Sequence, residues 1–380
     1  MMEEYIRAGV AQFETLLRQQ LARQERMEQG AFTRDFAAAE KVVIGVIGGD
    51  GIGPIIMREA RRVLEALLKE ELASGRVELR EIEGLTIENR LALGKAVPDD
   101  VLEAIKGCDV LLKGPTTTPK GGTLESANVT LRRELDLYAN VRPVTVPEEG
   151  IDWIFFRENT EGEYALGSRG IELPDKLTMD FKVTTDAGTR RIARAAFDYA
   201  RQNGKTSVAI VTKANIMKKT DGMFTRIAHE IASEYPEITA EDWYIDIMTA
   251  NLVNPAIRSK FQVFLLPNLY GDILTDEAAQ IQGGVGTAGS ANIGGSCAMF
   301  EAIHGSAPRK IEAGEGDYAN PASILKAAEM LLRHIALTDK ADRLADAMRE
   351  CLETEKRVVV TGHRDGATAA AFTDYLLEKL

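Results

Sequence analysis

Cysteine is scarce in this chain. Cys108, Cys297 and Cys351 are spread over 380 residues, with no CxxC pair and an odd count. That excludes a disulfide framework and a thiolate metal site, and it fits a reducing compartment, expected to be cytoplasmic. Positive charge is also short: 46 Lys and Arg face 58 Asp and Glu, for a net charge of −12. An acid surplus of this size argues against nucleic acid and anionic membranes as partners. No apolar run reaches the roughly 18 residues that a membrane-spanning helix needs. The first residues do not suit a signal peptide, because Glu3, Glu4 and Glu14 interrupt any apolar stretch.

The rest is ordinary globular material, 45% hydrophobic and 27% charged, and long enough for two domains. Ile6, Val10, Phe13, Leu17 and Leu21 recur at helical spacing and form one apolar stripe. Gly30 should end that helix. It would dock on its own fold or across a dimer; a partner-binding helix is the other option. Beyond it, "KVVIGVIG", "CDVLLKGP", "LDLYANVRPV", "DWIFFREN", "TSVAIVT" and "QVFLLPN" have the composition of strands. Helical stretches such as "TRRIARAAFDYARQNG" separate them. Alternation of this kind predicts an α/β fold with a largely parallel sheet. Residues 166–183 are less periodic and are expected to form a protruding arm.

Within "NLYGDILTDEAAQ", residues 268–280, Asp272 and Asp276 stand four apart and share a helix face. The helix is expected to start at the glycine and stop at the following "GG". A helix N-terminus favours negative charge, so two solvated N-terminal aspartates are one explanation. The strongly apolar strand before them supports another. It puts this helix start at the carboxyl edge of a sheet, where α/β folds bind ligands. Two carboxylates with few cysteines or histidines nearby suit a hard cation, Mg²⁺ or Mn²⁺.

The longer segment "NLYGDILTDEAAQIQGGVGTAGSANIG" resembles the signature of the β-decarboxylating dehydrogenases. That family includes isocitrate, 3-isopropylmalate, homoisocitrate and tartrate dehydrogenases. The resemblance runs over about residues 41–380, with the motifs in the same order. It implies the two-domain isocitrate/isopropylmalate dehydrogenase-like fold rather than a true Rossmann fold. Residues 41–137 and 284–380 would form the large cofactor-binding domain. Residues 138–283 would form a small domain with the dimer interface and the metal aspartates, and 1–40 a helical extension.

Residue by residue, the resemblance implies that Asp272 and Asp276 bind the metal, with Asp246 supplied by the neighbouring subunit. Arg132, Arg142 and Arg157 would bind the substrate's carboxylates, which guanidinium groups grip in bidentate fashion. Tyr164 matches the tyrosine that protonates the enol after decarboxylation. Lys213 matches the lysine that reaches into the other subunit's site, and Asn215 a position near that site. The protein would then be a homodimer with shared active sites, acting on a small hydroxy-polycarboxylate. A non-catalytic regulatory subunit is the rival, but such chains lose metal aspartates or the tyrosine, and this one keeps them.

In "TTTPKGGTLESANVTLRR", Ser126 and Asn128 fall at the positions where isocitrate enzymes bind the γ-carboxylate. An isopropyl group would leave them unpaired. Isocitrate therefore leads, followed by homoisocitrate, then 3-isopropylmalate or tartrate. Glu125 departs from the basic residue expected in some isocitrate enzymes. Thr117 and Thr118 match threonines near the nicotinamide end. "GDGIGP" is not a GxGxxG fingerprint. Instead "EAIHGSAPRK" matches the family's cofactor loop, with His304 and Gly305 near the adenine ribose and phosphates. Asn320 matches an adenine contact. NAD-using relatives carry an aspartate where this chain has Arg309 and Lys310. Those basic groups, with His363 and Arg364 in "TGHRDG", suit a 2′-phosphate, so NADP is expected and NAD is the alternative.

Overall fold

The computed structural model describes residues 2–28, 34–119, 124–167, 169–284 and 288–380. Gly30 lies outside them. The strands are β1 (Val42–Ile47), β2 (Val77–Glu81), β3 (Val110–Lys113), β4 (Ala139–Val146), β5 (Ile151–Glu158), β6 (Ile171–Leu173), β7 (Leu177–Met179), β8 (Ser207–Thr212), β9 (Thr239–Tyr244), β10 (Val263–Leu266), β11 (Gly289–Ile293) and β12 (Ala298–Ala302). The chain divides into two compact units. One comprises Met1–Phe32, Tyr138–Asn140 and Val144–Ala278; the other comprises Thr33–Leu137, Val141–Pro143 and Ala279–Leu380.

In the second unit the strand order is β2-β1-β3-β12-β11. β1 runs parallel to β2 and β3, β3 runs parallel to β12, and β11 and β12 are antiparallel. The sequences "VVIGVI" and "VLLK" are near-continuous apolar runs, as expected for parallel strands covered on both faces. Helix Gly53–Leu67 buries Ile56, Met57, Ala60, Val63, Leu64 and Leu67, which lie on one stripe at helical spacing. Pro54 in its first turn costs no hydrogen bond there. The register places Ile47 opposite Lys113 and Lys113 opposite Glu301. The loops after these three strands therefore emerge at one carboxyl edge, carrying "GDGIGP", "GPTTT" and "IHGSAP".

The first unit has the order β5-β10-β8-β9, with every pairing parallel. Phe155 lies opposite Phe264, their rings stack at 4.3 Å, and Trp153 packs edge-on against both. Here too the strand ends share an edge: Leu266 sits opposite Arg157, and Thr212 opposite Tyr244.

The arm expected at 166–183 contains the antiparallel hairpin β6–β7. The N-terminal helix α1 (Met2–Glu28) packs on it and belongs to this unit. The hairpin covers the helix's apolar stripe only in part: Phe13 packs against Phe181 with ring centroids 5.6 Å apart, and Ile6, Val10 and Phe13 line an apolar cleft with Ile171, Leu173 and Phe181. Ile6, Val10, Phe13, Leu17 and Leu21 stay 46–61% exposed, whereas Leu16 is 5% exposed. Polar residues add to these contacts: Gln12 Nε2 donates to Gly170 O at 2.6 Å and Gln19 Oε1 accepts from Arg169 at 3.1 Å. No helix among the described residues is long and apolar enough to cross a membrane.

Candidate active site

Helix Asn268–Ile281 begins three residues earlier than the glycine suggested. Gly271 lies inside it because Arg157 crosses there: a Cβ on Gly271 would sit 2.5 Å from Arg157 Cγ. Asn268 Oδ1 accepts from Arg157 Nε at 3.0 Å and Nη2 at 2.7 Å. The remaining arm, Nη1, donates to Asp272 Oδ1. Tyr164 OH donates to the other oxygen, Oδ2, at 2.8 Å. Asp272 is thus held by a guanidinium and a phenol while staying partly exposed, and the helix starts at Asn268 with no acid in its first turn, which takes away the N-terminal-aspartate explanation for it. Asp276 is exposed one turn further on.

Lys213 and Asp246 follow neighbouring strands β8 and β9 and pair at 2.7 Å. The hydrogen bond from Lys213 holds the Asp246 carboxyl below its ordinary range. Below them is a pair that the sequence pattern did not single out: Lys182 binds the buried Asp221 at 2.6 Å, and Asp221 accepts from Lys213 N at 2.8 Å. Burial opposes the charge on Lys182, but the bond to Asp221 together with the charges of Asp221 and Glu163 outweighs it and raises its pKa. Asn215 is exposed. Among the described residues no three His, Cys, Asp or Glu side chains gather as one metal site. Two hard carboxylates one helical turn apart still match the donor chemistry of Mg²⁺ or Mn²⁺, with positions left for further oxygen ligands.

In the other unit, Arg132 is held by a network that was also unmarked in the pattern. Its Nη2 lies 3.2 Å from Glu301 Oε1, Lys113 Nζ lies 3.0 Å from Glu301 Oε2, and Asn292 Nδ2 donates to Oε1 at 2.8 Å. Burial alone would raise the Glu301 pKa; the Lys113 and Arg132 charges overcome it and bring the group to about 2. Arg132 Nε is buried and has no acceptor among the described residues, leaving a donor for an anion. Arg142 is buried as well.

Ser126 stands at the N-cap of helix Ala127–Glu134 without a side-chain cap bond. Asn128 Oδ1 accepts from Thr116 Oγ1 at 3.1 Å. The acid next to Ser126 is neutralised locally: Arg133 grips Glu125 through two bonds of 2.9 and 3.1 Å. Arg133, absent from the substrate set, thereby answers the objection that Glu125 raised.

"GDGIGP" has a structural task. Asp50 accepts from Ile87 N and Thr117 N, both at 2.7 Å, and Ile52 N donates to Ser306 O at 3.0 Å. Thr117 Oγ1 meets Ser306 Oγ at 2.7 Å. The loop therefore binds the threonine segment to "HGSAP". Gly51, at φ +59°, leaves no room for a side chain, since a Cβ would lie 2.0 Å from Ser306 O. Thr118 and Gly305 are exposed, and burial keeps the His304 imidazole below its usual pKa. Lys310 Nζ donates to Gly362 O, whereas Arg309 is exposed. His363 and Arg364 both face Glu315, at 3.1 and 3.9 Å. Asn320 Oδ1 accepts from Ala322 N at 2.9 Å, at the start of helix Ala322–His334.

The family model for isocitrate/isopropylmalate dehydrogenase matches residues 43–376. The chain belongs to the isocitrate/isopropylmalate dehydrogenase family. It is thus an NAD(P)-dependent decarboxylating dehydrogenase, as the motifs implied. Relatives of this family member include a Drosophila melanogaster protein named probable isocitrate dehydrogenase (NAD) subunit alpha, mitochondrial. It is 37% identical over 92% of this chain and 90% of its own length. A Rickettsia bellii isocitrate dehydrogenase (NADP) is 38% identical over 90% of this chain and 70% of its own. The crystal structure of isocitrate dehydrogenase from Methylococcus capsulatus matches at 36% identity and a TM-score of 0.78, covering 89% of this chain and 99% of that one.

Proposed function

We propose that the protein oxidises and decarboxylates isocitrate to 2-oxoglutarate and CO₂, using NADP and a divalent cation, as a homodimer with shared sites. The observation that carries this reading is the cluster on Asp272, where Arg157 and Tyr164 bind opposite oxygens of one carboxylate. It supports the reading because a guanidinium and a phenol, one suited to a substrate carboxylate and the other to proton delivery, meet at a carboxylate that would hold the cation. Arg132, Arg142 and Arg157 hold the substrate's carboxylates, and Ser126 and Asn128 hold the γ-carboxylate. Asp272 and Asp276, with Asp246 of a second copy, would hold Mg²⁺ or Mn²⁺. When bound, the cation supplies Lewis-acid polarisation of the 2-hydroxyl and its neighbouring carboxylate. Tyr164 then delivers a proton to the carbon that CO₂ has left, and Lys213 of the second copy serves the proton relay.

Thr117, Thr118, His304, Gly305 and Asn320 are assigned to the dinucleotide, and Arg309 and Lys310 to its 2′-phosphate. The exposed Arg309 supports NADP. A second reading, NAD, is favoured by Glu315, which already occupies His363 and Arg364. Relatives named for each cofactor are similar to the chain. Steady-state rates on isocitrate, homoisocitrate, 3-isopropylmalate and tartrate, each with NAD and NADP, test both choices. Isocitrate with NADP should give the highest kcat/KM. No turnover of isocitrate would refute the substrate, and an NAD preference would refute the cofactor.

A further inference from the structure

We infer that the N-terminal helix, through Arg23, is a positioning element for the segment that carries Arg157 and Tyr164. This rests on the reading above, in which that segment binds substrate and delivers a proton. The helix lies before the residues that match the family model.

Two buried acids follow Arg157. Glu158 and Glu161 are each 2% exposed. Glu161 sits at the start of helix Asp186–Gln202, accepting from Thr185 N at 2.9 Å and from Thr185 Oγ1. It fits only because residue 188 is glycine, where a Cβ would lie 2.3 Å from Glu161 Oε1. Glu158 folds back on its own loop, accepting from Thr160 N at 2.9 Å, Thr160 Oγ1 at 2.8 Å and Glu161 N at 2.7 Å. Burial first, and the Glu161 charge second, push its carboxyl up to about 7. Adjacent buried carboxylates need a cation.

Arg23 supplies that cation from the helix. Its Nη1 lies 3.1 Å from Glu161 Oε1, and its Nη2 donates to Thr160 Oγ1 at 2.8 Å. Arg191, stacked on Tyr138, donates to the same hydroxyl at 3.1 Å. The hydroxyl of Thr160 thus gives its one proton to Glu158 and accepts from two guanidinium groups, which uses its full capacity. Gln12 and Gln19 hold the far end of the segment at Gly170 and Arg169. The helix therefore grips the chain on both sides of Tyr164: at Thr160 and Glu161 before it, and at Arg169 and Gly170 after it.

The full chain with Arg23→Ala, Arg23→Lys or, as a control, Arg18→Ala tests this. Arg18 is exposed and, among the described residues, pairs within the helix with Glu14. Amide exchange at Thr160–Leu166 should quicken in Arg23→Ala. KM for isocitrate should rise and kcat fall, each by about tenfold, as misplaced reacting groups cost rate. KM for the dinucleotide should stay put. Arg23→Lys should recover part of the loss, and Arg18→Ala should match the parent. Should Arg23→Ala not fold, the double change Gln12→Ala with Gln19→Ala loosens the far end without leaving a buried charge. It should quicken exchange around Leu166 and raise KM for isocitrate. Unchanged exchange and kinetic constants within twofold, in either variant, would overturn the inference. A parent protein without isocitrate turnover would sink the functional reading instead, and the exchange data would still decide whether the helix holds the segment.

Discussion

Tyr164 donates its phenolic proton to Asp272 Oδ2 at 2.8 Å, while Arg157 holds the other oxygen. The phenol is therefore kept beside the carboxylate proposed to hold the cation. Tyr164→Phe removes the proton and leaves Arg157 on Asp272, so the fold should persist. General-acid loss typically costs 10²–10⁴-fold, and kcat on isocitrate should drop by roughly that range with KM little changed. Stopped-flow and steady-state assays decide it. A kcat within threefold of the parent would remove Tyr164 from the proton-delivery role.

Asp276 lies one turn beyond Asp272 and is exposed, so its exchange for asparagine leaves packing intact. Asp276→Asn should raise the Mn²⁺ concentration for half-maximal activity by at least about tenfold, since a charged ligand is lost. Calorimetric titration of Mn²⁺ should show the same weakening without turnover. Parent-like Mn²⁺ binding would mean that the two aspartates do not act as one site.

The aspartate helix and the parallel strands were legible because each rests on local pattern, whereas Arg157 stood out only through the family resemblance. An apolar run reports a doubly covered strand, and a four-residue interval reports a shared helix face. What stayed hidden depends on partners distant in sequence. Nothing local tells Glu301 that Lys113 and Arg132 will surround it, nor Arg133 that it will silence Glu125. In the sequence Gly271 suggests a helix start; its reason is the Arg157 side chain crossing above it. Helix α1 shows another limit. Periodicity located its apolar stripe, part of which meets the hairpin at Phe181 and Ile171, but not the polar line of Gln12, Gln19 and Arg23, which adds contacts because the surface there offers carbonyls and a carboxylate.

If Lys213 serves a second copy's site, two inactive variants should complement each other. Lys213→Met and Tyr164→Phe, produced together, would pair at random. Half of the dimers would be mixed, and each of those would contain one intact site, so about a quarter of parental activity should return. Separately purified and unmixed variants should show almost none. No recovery in a verified mixed dimer would place Lys213 in its own copy's site.

Glu301 links the Arg132 network to pH. Its folded pKa, about 2, lies below the ordinary glutamate value of 4.5. The folded state therefore binds this proton less readily than the unfolded chain does. The resulting stability, on the order of 3 kcal/mol, is present above the unfolded pKa and is lost as pH falls from about 4.5 toward 2. Glu301→Gln should abolish that acid limb. It should also destabilise at pH 7, because Lys113 and Arg132 keep their buried charges without an anion; breaking such a group costs about 3–5 kcal/mol. Urea unfolding at pH 7, 5, 4 and 3 separates the two effects. The parent should lose stability steeply at the acid end, and the variant should start lower and fall less. Parallel curves for the two proteins would show that Glu301 titrates no differently when folded, and the charge balance behind Arg132 would then have to lie elsewhere.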